Sequence, residues 1–146
     1  MLVENKKAKF DYEIVEDFES GIVLDGSEVK SIREGGTSMT GARVIFGEDG
    51  AYLIGMNIPK YKFDSKSEYM ADRRRKLLLH KKEILAIQAK MRSAGLTVVP
   101  ISMYNKGSLV KVKIALVRGK KKFEKRDLIK KRQSRLALAR RLKQAN

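Results

Sequence analysis

The chain has 146 residues, a formal net charge of +16 and no cysteine. This length has room for one domain with an appendage, and the lack of cysteine excludes disulfides and thiolate metal sites, as is typical of cytoplasmic proteins. No stretch approaches the ~20 apolar residues that span a bilayer, and the charged N-terminus is not expected to act as a secretory signal.

The first half of the chain is predicted to contain strands and one helix. Residues 12–18 have the composition of a strand, and residues 21–24 that of its continuation or neighbour. A helix is predicted to begin at Asp25 or Ser27, either of which can accept from first-turn amides, and to end at Gly35. Two further short strands are predicted at 43–46 and 51–56, with a hairpin turn between them at 47–50.

The second half begins with a long polar connection over residues 60–75, of a length that is usually functional or mobile. A helix is predicted over 81–93, because apolar residues recur there at helical spacing and Gly95 follows. The clearest strands are predicted at 97–104 and 109–117. In the second of these, Lys111 and Lys113 alternate with apolar residues, so one face is expected to be buried and the other solvated.

This element pattern predicts a mostly β fold with inserted helices. About six antiparallel strands in residues 1–117 favour a small closed or partly open β-barrel, with an OB-type barrel as the leading candidate. Such barrels bind nucleic acid through their faces and loops.

Residues 118–146 form a basic C-terminal tail, with 13 Lys or Arg against 2 Asp or Glu. The tail cannot bury enough apolar surface to offset its ordering entropy, so it is predicted to be disordered in the free protein. Its charge indicates a polyanion partner, since neutralised phosphates release counterions. Phe123, its one aromatic residue, either stacks on a base or packs back onto the barrel. Ile129, Leu136 and Leu142 lie close to one helical face, so part of the tail is expected to become helical in an anionic groove.

Two further basic segments precede the tail. Residues 73–76 carry four consecutive cations beside the apolar run 77–79. These cations either form a solvated edge or share an anion that relieves their mutual repulsion. Residues 5–10 look like a short basic arm, which is weaker evidence for the same kind of partner.

Catalytic chemistry is not predicted. His80 is the only histidine, and no serine stands in a nucleophile-elbow context. Glu13, Glu16, Asp17 and Glu19 could in principle hold Mg²⁺, but strand alternation spreads them over two faces. No cofactor or metal site is therefore predicted.

Several blocks together resemble the small protein B (SmpB) family, the tmRNA-binding or SsrA-binding proteins of bacterial trans-translation. They are Asn-Lys-Lys-Ala at 5–8, Glu-Ser-Gly-Ile-Val-Leu-Asp-Gly-Ser-Glu-Val-Lys-Ser at 19–31, Arg-Lys-Leu-Leu-Leu-His-Lys-Lys-Glu-Ile at 75–84, and Gly-Lys-Lys-Lys-Phe-Glu-Lys-Arg at 119–126. The resemblance runs from Asn5 to the end of the chain, and the joint order of the blocks is highly specific.

The resemblance implies an adaptor and not an enzyme. The OB-fold barrel would cradle the tRNA-like domain of tmRNA, and the tail would enter the decoding centre and empty mRNA channel of a stalled 70S ribosome. Elongation factor Tu with alanyl-tmRNA would be a further partner. A cytoplasmic monomer without membrane contact is expected.

The resemblance also assigns residues. In the barrel it places RNA contacts at Asn5, Glu19 and Leu78, and the neighbouring basic residues Lys6, Lys7, Arg75 and Lys76 are predicted to join them. In the tail, decoding-centre contacts are predicted at Gly119, Lys120, Lys121, Phe123, Glu124, Lys125, Arg126, Arg140 and Leu142.

Departures from the family pattern lie in the connection and the tail. The usual Asp-Pro before the Arg-Lys-Leu-Leu-Leu block is absent at 71–73, the 38–42 stretch also differs, and Phe123 and Glu124 stand where Tyr or His and Asp are common. The alternative functions are a generic RNA-binding OB-fold translation factor or ribosomal protein, and a metal-dependent nuclease.

Overall fold

The computed structural model describes residues 1–64, 68–119 and 122–144, and for 122–128 and 143–144 the backbone alone. Within these ranges the elements follow in the order β1 (Val3–Glu4), α1 (Lys6–Asp11), β2 (Tyr12–Ile22), α2 (Gly26–Glu34), β3 (Arg43–Gly47), β4 (Gly50–Ile54), β5 (Arg75–Leu78), α3 (Lys81–Ala94), β6 (Thr97–Lys106), β7 (Leu109–Gly119) and α4 (Lys122–Gln144).

The strands form one antiparallel sheet in the order β1-β6-β7-β2-β5-β4-β3. The sheet curls until β3 and β6 come into contact, although these two strands are not hydrogen-bonded neighbours. The predicted mostly β fold with inserted helices is therefore confirmed, as a barrel that is not closed. The two strands predicted near the N-terminus are one long strand, β2, and the sequence did not predict β1 or β5.

Helices α2 and α3 begin and end for the reasons that the sequence suggested. Asp25 is the N-cap of α2, and its amide donates to Oε1 of Glu28 at 3.0 Å, which satisfies one first-turn donor. Gly95 ends α3 in the left-handed region with φ of 63°, where a side chain would be strained.

The main core lies inside the curled sheet. Val112, Ile114 and Leu116 alternate along β7 and are fully buried, as predicted for one face of this strand, but Ala115 and Val117 on the face predicted to be solvated are buried as well. Ile32 of α2 and Ile87 of α3 pack into the same core. Both inserted helices therefore contribute to the interior of the barrel.

A smaller cluster lies on the opposite, outer face of the sheet. Ala8 of α1 packs there with Val99, Ile101, Ala115 and Val117. The predicted basic arm at residues 5–10 is thus a short helix seated on the sheet. It covers one end of the outer face and leaves the other end exposed.

The tail follows β7 and is helical. Strand β7 continues to Gly119, two residues beyond the predicted domain boundary at 117. Residues 122–144 form one helix, α4, the conformation that the sequence predicted for part of the tail in an anionic groove, and the disorder of the free tail stays a prediction. This segment has no Gly or Pro and is rich in strong helix formers. Every described side chain from 129 to 142 is exposed, so α4 contributes nothing to the core.

Candidate nucleic-acid interface

The exposed end of the outer face brings together two of the predicted RNA contacts. Glu19 and Gly21 are two positions apart on β2 and point to the same side. Gly21 pairs with Leu78 of β5 on one side and with Lys111 of β7 on the other, and Glu19 pairs with Lys113. Leu78 is 58% exposed. A carboxylate, an apolar side chain and two lysines therefore share one solvated surface, which we call the outer patch.

Gly21 allows the two strands of the outer patch to approach closely. A Cβ atom at this position would lie 3.0 Å from the Cβ of Leu78. Any side chain at position 21 would therefore displace Leu78.

The Glu19 carboxylate is held by both of its oxygens. The Tyr104 hydroxyl donates to Oε2 at 2.6 Å, and the Lys106 ammonium donates to Oε1 at 2.9 Å. Hydrogen bonds from Tyr104 and then Lys106 lower the pKa of Glu19 below its usual value. Burial and the bond to Glu19 raise the pKa of Tyr104 to about 12. Glu19 is therefore an ionised acceptor in a fixed orientation, suited to base or 2′-hydroxyl donors.

The sequence analysis did not single out Tyr104 or Lys106. Because they are two positions apart on β6, the sequence places them on the same face of that strand. The registers of β6 with β7 and of β7 with β2 bring that face beside Glu19. A groove of about 510 Å³ runs between these strands, and its walls include Glu19, Tyr104 and Lys113.

Lys76 extends the outer patch toward β4. It is exposed and pairs with Tyr52, whose ring has the Arg74 guanidinium 4.5 Å from its centroid. A cation over an aromatic face is stabilised by the ring quadrupole. This corner combines two cations with an aromatic ring, which suits a phosphate and an adjoining base.

Arg75 does not belong to this surface, contrary to the sequence-based prediction. Its side chain is fully buried and donates to Oε2 of Glu28 from Nε at 2.9 Å and from a terminal nitrogen at 2.7 Å. It also donates to the Met56 carbonyl at 3.0 Å. Burial raises the pKa of Glu28, but hydrogen bonds from the Asp25 amide, Arg75 and Arg73 outweigh it and leave the pKa below its usual value. Arg75 is therefore a structural residue.

Asn5 is also buried, so its predicted direct contact with RNA is not available in this structure. Its Nδ2 donates to the carbonyls of Met39 at 3.2 Å and Pro100 at 2.8 Å, and its Oδ1 accepts from the Ala8 amide at 3.1 Å. Asn5 thus caps α1 and fixes it against the sheet. That position leaves Lys6 and Lys7 exposed on α1, next to the covered end of the outer face.

The predicted tail contacts lie apart from the outer patch in sequence and are only partly described. Gly119 ends β7, and Arg140 and Leu142 are exposed on α4. Lys120 and Lys121, and the side chains of Phe123, Glu124, Lys125 and Arg126, lie outside the described residues.

The residues weighed for catalysis have other roles. His80 is exposed at the start of α3, where its amide donates to Glu83 at 3.1 Å. Glu16 pairs with Lys90, and Glu19 with Lys106. Among the described residues, no three His, Cys, Asp or Glu side chains are grouped so that they could hold a metal ion. Over the same ranges, no helix is long and apolar enough to cross a membrane.

Comparison with known proteins places these features in one family. The family model described as SmpB protein matches residues 2–144. A protein described as SsrA-binding protein from Mycoplasma mycoides subsp. mycoides SC is 45% identical over 133 residues, covering 90% of each chain. Another from Persephonella marina is 44% identical over 143 residues, covering 98% of this chain and 94% of its own.

A solved structure supports the same assignment. A chain of the structure described as "tmRNA-SmpB: a journey to the center of the bacterial ribosome" superposes with a TM-score of 0.68 at 42% identity, covering 82% of this chain and 85% of that one. Since the family model matches almost the whole chain and the similarity extends to sequence and fold alike, this protein belongs to the SmpB family.

Proposed function

We propose that this protein is a tmRNA-binding adaptor of trans-translation. The observation that carries the proposal is the outer patch, where Glu19, Leu78 and two lysines meet on a surface whose carboxylate is held ionised by Tyr104 and Lys106. Membership of the SmpB family, whose related proteins are described as SsrA-binding, identifies the RNA. The tRNA-like domain of tmRNA is the part that the barrel would bind.

The tail would act separately from the barrel. It carries +11 of the net charge of +16, and its described side chains lie outside the core. Such a segment is suited to the RNA-lined decoding centre and empty mRNA channel of a stalled ribosome, with Arg140 and Leu142 on the helix and Phe123 near its start. Elongation factor Tu with alanyl-tmRNA would deliver the complex, and the protein would act as a cytoplasmic monomer.

The experiment is to identify the RNA that co-purifies with the full chain at physiological salt. We expect one dominant species of tmRNA size, released by a competing tRNA-like domain. A broad RNA mixture with no enrichment would instead indicate a general RNA-binding translation factor or ribosomal protein. Cleavage of labelled RNA in the presence of Mg²⁺ would indicate a nuclease. Either result would overturn the proposal.

A further inference from the structure

The connection between β4 and β5 carries an aromatic pair, with one exposed ring, away from the outer patch. The rings of Tyr61 and Phe63 meet edge to face, with centroids 5.4 Å apart, and Phe63 is 74% exposed. Edge-to-face pairs of this kind are favoured by the ring quadrupoles. Tyr61 is half-buried, so Phe63 is the ring that the pair presents to solvent.

Cations surround the two rings. Lys62 Nζ lies 4.9 Å from the centroid of Phe63, and Lys30 Nζ of α2 lies 5.7 Å from the centroid of Tyr61. Lys60 is exposed and precedes Tyr61 in the sequence, and Asp64 is the acidic residue of this segment, residues 60–64, which we call the tip. The tip therefore offers two π faces within a positive field, which matches a partner that is both anionic and aromatic.

Hydrogen bonds from neighbouring side chains fix the two ends of the connection, so the segment that carries the rings is anchored. The Ser31 hydroxyl donates to the Pro59 carbonyl, and the Tyr69 hydroxyl donates to the Ile58 carbonyl at 2.7 Å. Arg75 donates to the carbonyls of Met56 and Ala71 at 3.0 and 2.9 Å while it is paired with the buried Glu28. Rigid support lowers the entropy lost when a ligand stacks on the rings.

We propose that Tyr61 and Phe63, with Lys30, Lys60 and Lys62, form a second nucleic-acid site that stacks unpaired nucleotides of an RNA strand. Unpaired bases supply the π faces, and the phosphates supply the charge for the lysines. The site lies on the connection and α2, whereas the outer patch lies on β2, β5 and β7. The inference does not depend on which RNA the outer patch binds.

The chain contains no tryptophan, so Phe63→Trp in the full-length protein provides a local fluorescence reporter. The probe is a single-stranded oligouridylate of about ten nucleotides, the length that an OB-sized binding surface covers. We expect the probe to quench the emission of this variant. A control reporter, Val15→Trp, lies at an exposed position on β2 outside the outer patch and should keep its emission. A blunt RNA duplex, whose bases are already stacked, should quench neither variant.

A second measurement tests affinity without changing charge. Phe63→Ala should weaken binding of the oligouridylate about fivefold or more, the lower end of one base–aromatic stack. The slope of log affinity against log salt should stay the same, because no cation is removed. Met70→Ala removes another exposed side chain of the same connection and is the control.

Three outcomes would overturn the proposal. The first is equal quenching of the two tryptophan variants by the single strand, and the second is equal affinity for Phe63→Ala and Met70→Ala. The third is a blue shift of the Phe63→Trp emission with phosphatidylglycerol vesicles but none with RNA, which would assign the tip to a membrane surface. Binding of the tRNA-like domain, measured in parallel with Glu19 intact, tests the proposed function separately.

Discussion

The hydroxyl of Tyr104 reaches the Glu19 carboxylate at 2.6 Å across the intervening strand β7. The two residues are 85 positions apart in the chain. Their contact exists because β6 and β2 both pair with β7, on whose outer face Lys111 and Lys113 lie between them. This bond orients the carboxylate on which the proposed RNA contact depends.

Removing the Tyr104 hydroxyl should therefore weaken RNA binding. We expect Tyr104→Phe to lower the affinity for the tRNA-like domain about fivefold, corresponding to the ~1 kcal/mol of one hydrogen bond. Tyr52→Phe is the matched control, since it keeps the ring beside Arg74 and removes a hydroxyl that bonds to Asp49 and not to Glu19. Fluorescence anisotropy with labelled RNA would measure both, and equal weakening would show that Tyr104 has no special role.

Leu78 should matter for RNA binding and little for folding. Its side chain is 58% exposed, and exposed substitutions usually change stability by less than about 0.5 kcal/mol. We expect Leu78→Ala to keep the melting temperature but to weaken tRNA-like domain binding. Leu138→Ala, at a leucine that is 57% exposed on α4, should change neither quantity. A marked loss of stability in Leu78→Ala alone would make Leu78 a structural residue.

The buried pair of Glu28 and Arg75 should be essential for stability. Glu28→Gln keeps a side chain that can accept from the Asp25 amide but leaves the Arg75 guanidinium without its counter-charge. Breaking a buried pair in this way costs about 3–5 kcal/mol. Urea unfolding would measure the loss, with Glu34→Gln, an exposed acid of the same helix, as the control. A change as small as that of the control would contradict the assignment.

The same pair predicts how stability depends on pH. The pKa of Glu28 in the folded protein is lowered from its ordinary value of 4.5. A group with a lowered folded pKa stabilises the protein above the unfolded value, and this contribution is lost as the pH falls through the folded pKa. The difference in stability between the wild type and Glu28→Gln should therefore narrow below pH 4.5. If the difference in stability between the two proteins stays constant as the pH falls further, the ionised Glu28 is not the cause of that difference.

The tail helix should open readily in the free protein. Helices in proteins obtain most of their stability from packing of an apolar face, and the side chains from 129 to 142 are exposed. Amide hydrogens in this range should exchange within about tenfold of unprotected rates, whereas those of β7 should be strongly protected. Slow exchange across 129–142 would refute the predicted disorder of the free tail.

Ending the chain at Gly119 keeps β7 whole and should preserve RNA binding while abolishing peptide tagging.

Phe123 should act at the ribosome more than in RNA capture. If its ring stacks on a base of the decoding centre, Phe123→Ala removes ~1–3 kcal/mol of that contact and slows tagging, and Phe123→Tyr is tolerated. Melting temperature and tmRNA affinity should not change in either variant. Unchanged tagging with a lowered melting temperature would show that the ring covers the barrel instead.

Local sequence patterns were sufficient for most of the elements. The alternation of lysines and apolar residues on β7 and the cap and glycine stop of α2 depend on neighbours a few positions away, so they could be predicted directly. Strand β5 was not predicted, because four residues are too few to show an alternating pattern. The strand forms because it pairs with β2 and β4.

Among the candidate site residues, residue type was a poor guide to exposure. Arg75 and Lys76 are adjacent cations in the sequence, yet Arg75 is fully buried and Lys76 is exposed, because successive side chains of a strand point to opposite faces. Asn5 stands beside two exposed lysines, yet its own side chain is buried and caps α1. The sequence by itself determined the charge, the periodicity and the family resemblance, all of which are local or additive properties. Only the tertiary structure decided which polar groups meet, since Glu19 with Tyr104 and Glu28 with Arg75 come together through strand register and burial that no local pattern contains.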